Sequence, residues 1–316
     1  MLGIVVERIG LAFFTMVFIA IVVFAGLQAM PGDACTVHLG RGASDTALAS
    51  CRSRMGLDRP ATTRFFEWSG NIVKGDLGVS IQRKKPIAEI VGWRLRNTLI
   101  LSGVAALMGI PLAIFLGVIS GLRRDGPLDV GISSLAIFGM TVPEFISGTL
   151  MIFVFSVTLG WASGVVMAGY KAPALDLVRA SILPAATLTF ILAAHILRMV
   201  RSSIIEVLDS EFVLMARLKG LPRRQIIWRH VVPNALLPAI SVIGLTAAWL
   251  LGGVVIVESV FNYPGLGRLA VDAVADQDLP LVQAIALLFG IIYILVNLGA
   301  DLLALVLNPR LRTLRG

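Results

Sequence analysis

The side chains best suited to bind a partner or a substrate are charged residues that interrupt long apolar stretches. One polar stretch carries five basic residues within thirteen positions: Arg217, Lys219, Arg223, Arg224 and Arg229. Such a basic surface binds anionic lipid or the polar rim of another protein. A single acidic residue, Glu144, lies inside an apolar run, where an ionisable group is costly unless it faces protein or water. These residues predict binding, not catalysis.

The motifs of common enzymes are absent from the sequence. It contains no G-x-x-x-x-G-K-[ST], H-E-x-x-H or G-x-S-x-G pattern. The three histidines, His38, His195 and His230, fall in segments that long apolar runs separate, so they cannot converge on one metal ion. We therefore expect no catalytic residue, no metal site and no cofactor bound by this chain. A membrane enzyme such as a metalloprotease is disfavoured.

The composition is that of a membrane protein. The chain has 316 residues, of which 57% are hydrophobic and 15% are charged, whereas soluble domains have about 25% charged residues. A formal net charge of +8 would suggest nucleic acid as a partner of a soluble protein. In a membrane chain, basic residues flank the spans and determine topology, so we expect a lipid bilayer and no nucleic acid as partner.

Apolar runs long enough to cross a bilayer predict an all-α fold with six transmembrane helices. The first run, 9–29, has 21 uncharged residues, which is too long for the core of a cleaved signal peptide. We interpret it as an uncleaved first span. The other predicted spans are 98–122, 130–157 with a break at Pro143 and Glu144, 182–197, 235–257 and 281–307.

A small extramembrane region is predicted between the first two spans, at 31–97. It is polar, it contains turn signals, and residues 62–74 have the apolar spacing of a helix. Its two cysteines, Cys35 and Cys51, would close a short loop whose disulfide contributes about 3 kcal/mol. A disulfide is favoured over two unpaired thiols, because the region is predicted to be outside the cytoplasm, where disulfides persist.

The distribution of basic residues predicts which side of the membrane each loop occupies. Of the 27 Lys and Arg residues, thirteen lie on the side of the basic stretch, eleven in the loop 31–97 and three elsewhere on the opposite side. Loops longer than about 60 residues escape the positive-inside rule. With that loop set aside, the basic stretch and both termini are predicted to be cytoplasmic.

The basic stretch, 206–234, is predicted to form two short helices. Gly220 and Pro222 separate them, because glycine tolerates a positive φ and proline lacks a backbone donor. One interpretation is that the stretch only determines topology and contacts lipid. The favoured interpretation is that it binds a soluble partner. The residues expected to make that contact are Glu211, Phe212, Met215, Ala216, Arg217, Lys219, Gly220, Leu221 and Arg223.

The same stretch resembles a known family. The run Ala216-Arg217-Leu218-Lys219-Gly220-Leu221, then Arg229-His230 and Asn234-Ala235-Leu236-Leu237-Pro238, is similar to the cytoplasmic coupling loop of ABC-importer permeases in the oligopeptide, dipeptide and nickel branch. Leu214 and Met215 stand where the general importer pattern has Glu and Ala. Further similar segments are 31–33 (PGD), 56–60 (GLDRP), 75–80 (GDLGVS), 96–99 (RNTL) and 258–267 (ESVFNYPGLG).

The resemblance implies a type I importer permease fold in a bacterial inner membrane. It implies an N-terminal helix at 1–30, a periplasmic region at 31–97, a five-helix permease core at 98–307 and a cytoplasmic tail at 308–316. The implied partners are a homologous second permease, two cytoplasmic P-loop ATPases that hold ATP and Mg²⁺, and a periplasmic or lipid-anchored substrate-binding protein. The expected cargo is short peptides, with nickel chelates, glutathione, opines or sugars as alternatives.

Two further sites are expected. The resemblance implies that the segment 258–267 forms an outer gate loop, for which the residues are Glu258, Phe261, Pro264, Gly265 and Gly267. Pro143 and Glu144 are expected to line the translocation path, since Glu144 lies near the middle of the third span. The alternative is that Glu144 pairs with a Ser, a Thr or His195 of a neighbouring helix.

A transporter of another class remains as an alternative. A secondary transporter driven by an ion gradient would have inverted repeats and a cluster of ionisable groups at the bilayer midplane. The sequence shows no obvious repeat, and Glu144 is nearly alone among ionisable residues within the predicted spans. Ion-dependent transport by this chain without ATPase partners would support the alternative.

Overall fold

The computed structural model describes residues 2–28, 35, 43–54 and 57–307, and these ranges form helices without a β-strand. The side chains of residues 2–6, 241, 247–249, 251, 301 and 303–307 are not described. The helices are α1 (Leu2–Gln28), α2 (Asp45–Arg54), α3 (Ala61–Val73), α4 (Ile87–Leu122), α5 (Pro127–Thr141), α6 (Glu144–Met151), α7 (Ala174–Ala180), α8 (Ile182–Leu208), α9 (Glu211–Leu218), α10 (Arg223–Ile226), α11 (Val232–Val260), α12 (Leu266–Ala275) and α13 (Leu279–Leu307).

Five helical segments of the described chain are long and apolar enough to cross a membrane, and a bent pair makes a sixth candidate. They are α1, α4, α8, the segment Arg223–Thr246 that leads through α10 into α11, and α13. The all-α fold is therefore confirmed. Two predicted spans were too short. α4 begins eleven residues before the span predicted at 98–122, and α8 ends eleven residues after the span predicted at 182–197.

The third predicted span is the bent pair. α5 ends at Thr141, α6 begins at Glu144, and the axes of the two helices differ by 113°. The carbonyl of Pro143 accepts hydrogen bonds from the N–H groups of Ile146 and Ser147, so a new helix starts at the proline. α6 then continues as a π-helical segment, Ile152–Thr158. The break expected at Pro143 is present, but the change of direction is much larger than an ordinary proline kink.

A row of small residues allows α4 and α8 to pack backbone against side chain. Gly109, Ala113, Gly117 and Gly121 recur at every fourth position of α4, which places them on one face of the helix. A Cβ atom built on Gly117 would lie 2.8 Å from Cβ of Val200 and 2.9 Å from the carbonyl oxygen of Leu197. Membrane helices without large residues at such a contact approach closely and gain van der Waals energy. The seam between α4 and α8 forms the centre of the core.

The N-terminal helix lies at the edge of this core. α1 packs on α13, where Ile19 contacts Gly290 so closely that a Cβ on that glycine would lie 2.9 Å away. Near the C-terminal end of α1, Phe24 meets Phe65 of α3 with ring centroids 5.3 Å apart. The amphipathic helix predicted at 62–74 is therefore present as α3, next to the end of the first span.

Within the described part of the predicted extramembrane region lie the two short helices α2 and α3 and the disulfide. Cys35 and Cys51 are bonded, with their Cα atoms 5.8 Å apart. Three of the predicted features lie outside the described residues: the segment 31–33, Gly56 of the segment 56–60, and the tail 308–316.

Candidate functional site

The basic stretch folds into two short helices that meet at a glycine turn. Gly220 has φ +75°, and its N–H donates to the carbonyl of Arg217 at 2.9 Å. The N–H of Leu221 donates to the carbonyl of Ala216 at 3.3 Å. This pair of bonds is the Schellman arrangement, which requires a left-handed residue directly after the helix. Pro222 then precedes α10, so the turn is defined on both sides.

The basic stretch, 206–234, has one face in the core and one face on the surface. Val213, Ala216 and Ile226 are buried and hold the loop against the rest of the chain. Large apolar side chains on the other face are exposed: Phe212, Leu214, Met215, Leu218 and Trp228. Apolar residues grouped at the surface of a loop mark a contact with another protein or with the membrane.

The predicted contact residues divide between these two faces. Phe212, Met215, Arg217, Lys219 and Arg223 are exposed, and so are Glu211 and Gly220. Leu221 is partly buried. Ala216 is 7% exposed, so it positions the loop instead of touching a partner. Trp228 is 62% exposed and was missed, although a tryptophan in a basic juxtamembrane segment was a visible signal.

The end of the helix bundle opposite the basic stretch, which we call the outer end after the predicted topology, is organised around the buried carboxylate of Glu258. The Thr98 hydroxyl donates to Glu258 Oε1 at 2.6 Å, and the N–H of Arg268 donates to Oε2 at 3.0 Å. Thr98 Oγ1 also accepts the N–H of Leu266 at 2.7 Å. α4, α11 and α12 are therefore connected by one group of hydrogen bonds.

Two glycines leave room for that carboxylate. A Cβ atom on Gly265 would lie 1.9 Å from Glu258 Oε1, so no residue with a side chain fits at this position. On Gly267, a Cβ would lie 2.5 Å from Cα of Val255. The glycines of the predicted outer loop are thus explained by close packing and not by an unusual backbone angle.

Neighbouring residues complete the outer network. Asn97 donates to the carbonyls of Tyr170 at 2.9 Å and Pro264 at 2.8 Å, and the Tyr263 hydroxyl donates to the carbonyl of Asn97 at 3.0 Å. Burial raises the pKa of Tyr263, so its hydroxyl remains protonated and serves as a donor at every physiological pH. Asn97 and Thr98 belong to the segment 96–99, but only the fold shows that they meet the segment 258–267.

All five residues predicted for the outer loop are buried within the chain itself: Glu258, Phe261, Pro264, Gly265 and Gly267. Phe261 packs on α6, where a Cβ on Gly148 would lie 3.3 Å from its ring. These residues fix the shape of the loop. They do not present side chains to an open passage in this structure.

The segment 75–80 is hydrogen-bonded to the turn between α12 and α13. Ser80 donates to Asp278 in a short hydrogen bond, and the N–H of Ile81 donates to the other oxygen of Asp278 at 3.3 Å. Arg83 lies 3.2 Å from Asp276 in the same turn. The turn between α12 and α13 is thereby attached to the segment that precedes α4.

A buried ion pair fastens the opposite end of the core. Arg201 of α8 holds both oxygens of Asp129 of α5, at 2.6 and 2.7 Å, and Ser120 of α4 donates to the same carboxylate. The bidentate geometry gives direction as well as strength. Sequence patterns did not reveal this pair, because its members are 72 positions apart.

Glu144 lies at the bend between α5 and α6. Its carboxylate rests on α11, where a Cβ on Gly253 would lie 3.0 Å from Oε1. Oε2 is buried, and no described residue donates a hydrogen bond to it or forms an ion pair with it. The expected alternative, a pairing with Ser, Thr or His195, is therefore not observed among the described residues.

The sequence matches one known family over nearly its whole length. Residues 109–313 match the binding-protein-dependent transport system inner membrane component, and residues 1–102 match the N-terminal part of that component. The chain belongs to this permease family. The basic stretch, α8 and α11 lie within the first matched range, and the network around Glu258 has residues in both ranges.

Named relatives of this permease align with it from end to end. The glutathione transport system permease protein GsiC of Escherichia coli is 34% identical over 312 residues, which cover 99% of each chain. A protein of Brucella abortus whose name assigns it to a peptide transport system has the same identity and the same coverage.

Solved structures share the fold of the core. The inward-facing MetNI methionine ABC transporter has a chain that is 19% identical, with a TM-score of 0.58, and the match covers 69% of this chain and 96% of that one. An amino acid ABC transporter solved with histidines gives a TM-score of 0.54 at 16% identity, over 68% of this chain and 93% of that one. The protein is thus a membrane-spanning permease subunit of an ABC importer.

Proposed function

We propose that this permease forms half of a translocation path for short peptides, which a substrate-binding protein delivers to its outer face. The relatives that align over 99% of both chains are named for peptide and glutathione transport, and glutathione is itself a tripeptide. Nickel chelates, opines and sugars are the competing cargoes.

The observation that carries the proposal is the exposed apolar face of the coupling loop. Met215, Leu218 and Trp228 are 59%, 72% and 62% exposed, on a loop that Val213 and Ala216 anchor in the core. We propose that a cytoplasmic P-loop ATPase covers this face, and that a homologous second permease binds a second ATPase. ATP and Mg²⁺ would then belong to the ATPases, and this chain would bind no cofactor.

A mechanism of alternating access follows from the connections of this loop. α8 enters it directly, and α10 leaves it in continuous helix toward α11. When ATP brings the ATPases together, the two coupling loops would approach each other, and α8 and α11 would transmit the movement to the outer loop 258–267. Hydrolysis would reverse it. This proposal places the coupling loop and both termini in the cytoplasm, at the inner membrane of a bacterium.

A mild-detergent purification of the tagged protein from its native cells tests these partners. Mass spectrometry of the purified material is expected to find a second permease of similar size and one or two P-loop ATPases. ATP-dependent uptake of a radiolabelled dipeptide, Ala-Ala, by cells that carry the gene and not by a deletion strain would support the peptide cargo. A homo-oligomer without any ATPase would contradict the proposal and favour the secondary transporter.

A further inference from the structure

Two acceptor atoms on one turn of α6 have no donor within the described chain. Glu144 Oε2 is buried and unpaired, and so is the Oγ atom of Ser147, a residue that is only 5% exposed. The two residues are three positions apart and therefore adjacent on the helix surface. Buried polar atoms in native proteins almost always have a partner, so two neighbouring exceptions call for an explanation.

The position of this turn relates it to the outer loop. Gly148, the next residue after Ser147, packs against Phe261 and Val260. A Cβ atom added to Gly148 would lie 3.3 Å from side-chain atoms of both residues. Gly253, which contacts the Glu144 carboxylate, is seven residues before the end of α11, or about 10 Å along that helix. The carboxylate thus lies on the membrane side of the outer loop, where a molecule that has passed the loop would meet it.

Among the described residues, no cation forms an ion pair with the carboxylate, and Oε2 accepts no hydrogen bond. α5, α6 and α11 carry no basic residue, and Gly253 contributes only backbone at the point of contact. α8, which also packs on α6, carries His195, Arg198 and Arg201, but none of the three bonds to Oε2, and Arg201 is bound to Asp129. A lone carboxylate inside a membrane is kept only where it has a partner or a function, and no described residue supplies that partner for Oε2.

We propose that Glu144 and Ser147 bind the ammonium group of the transported molecule after it has passed the outer loop. An ammonium group donates three hydrogen bonds and accepts none, so it suits a carboxylate and a hydroxyl that both lack donors. This inference rests on the proposed function and adds to it a requirement on the cargo: a free primary amine, such as the amino terminus of a short peptide. Cargo without a cationic group would not be held here.

Binding to the purified transporter, without its substrate-binding protein, tests the inference directly. The probes are Ala-Ala and N-acetyl-Ala-Ala, which differ in the charge of the amino terminus. In a thermal-unfolding titration, Ala-Ala is expected to stabilise the wild-type complex and N-acetyl-Ala-Ala is not. Glu144→Gln should raise the half-saturating Ala-Ala concentration about tenfold or more, and Ser147→Ala about fivefold, as lost charged and neutral hydrogen bonds predict.

Two variants serve as controls for this titration. Glu144→Asp keeps the charge and should retain part of the affinity. Glu89→Gln removes a carboxylate from the first turn of α4, where Glu89 pairs with the exposed Lys171, and should leave the affinity unchanged. An affinity that follows charge at position 144, and not at position 89, would support the ammonium site.

Several results would overturn the inference and leave the proposed function intact. They are equal stabilisation by both peptides, no stabilisation of the wild-type complex by either, and an unchanged affinity in Glu144→Gln. A Glu144→Gln protein that loses its second permease during purification would also overturn it, because the missing cation would then belong to that subunit. A wild-type protein that purifies without any ATPase contradicts the proposed function instead.

Discussion

The carboxylate of Glu258 shows how single residues hold the outer end of this permease. It is fully buried, and it is satisfied by a hydroxyl and a backbone N–H that come from two other helices. If one donor is removed, the buried acceptor is left without a hydrogen bond, and folding then bears the full free-energy cost of desolvating that acceptor. The stability of the outer loop therefore depends on Thr98, which stands 160 positions earlier in the chain.

Replacing Thr98 by valine tests this dependence. Thr98→Val keeps the shape of the side chain but removes a donor to Glu258 and an acceptor for Leu266, so we expect a loss of about 1–3 kcal/mol in the free energy of unfolding. Thr141→Val is the matched control, because the Thr141 hydroxyl is exposed and bonds only to carbonyls of its own helix. Thermal unfolding of the purified protein measures both. Equal losses in the two variants would contradict a special role for Thr98.

At this scale the sequence identified the positions but not their pairings. The segments 96–99 and 258–267 were both recognised as similar to family segments, yet nothing in either one indicates that Thr98 meets Glu258. The glycines at 265 and 267 were expected in a gate loop, and the structure explains them by the carboxylate and the main chain of Val255 that lie against them. Contacts between residues far apart in the chain depend on helix packing, which local patterns do not encode.

Among the described helices, α4 and α8 share the most extensive contact. Gly109, Gly117 and Gly121 of α4 each face a branched side chain of α8, namely Leu192, Val200 and Ile204. Because a membrane provides little hydrophobic driving force between helices, such close packing is a main source of their association.

Valine substitutions on α4 separate the seam from the rest of the helix. Gly117→Val would force its side chain into Val200 and the carbonyl of Leu197, and we expect a loss of about 1–3 kcal/mol from overpacking. Gly103→Val, on the same helix, is the control because a Cβ there meets nothing within 4 Å. The readout is the fraction of folded protein after heating in detergent. The seam is not critical if the two variants lose stability to the same extent.

Hydrophobic runs located most of the helices, because length and apolarity are what a bilayer demands. They failed where polar residues continue a helix beyond the apolar run, as Arg94 and Arg96 do at the start of α4. The hydrophobic runs also did not predict the direction in which the chain continues after Pro143. A proline predicts that a helix ends, but the 113° turn that follows depends on what α6 packs against.

In the whole transporter, the coupling loop is the surface on which the ATPase would act, so that movement of the ATPase would be transmitted to this subunit. Its exposed apolar residues would enter a cleft of the ATPase, with the exposed basic residues Arg217 and Lys219 at the rim. Rim charges influence the rate and specificity of association more than its affinity. Reversal of these charges should therefore weaken docking without affecting the membrane core.

The double variant Arg217→Glu, Lys219→Glu tests that expectation in cells. We expect ATP-dependent uptake of Ala-Ala to fall about tenfold or more, because like charges would face each other at the rim. The amount of protein in the membrane should not change. Arg310→Glu, Arg312→Glu reverses two charges of the C-terminal tail and should transport normally. Normal uptake by the loop variant would refute the docking role.

The row of glycines along α4 also limits how this permease can move. Sliding or rotating α8 against α4 would drive Val200 into main-chain atoms, so the two helices have little freedom relative to each other. They would move as one unit, and any rearrangement must be taken up elsewhere, for example at the bend between α5 and α6. A cycle of opening and closing would thus use fewer independently moving helices than the number of helices suggests, and substitutions at that bend would alter the speed of the cycle before they alter the stability of the fold.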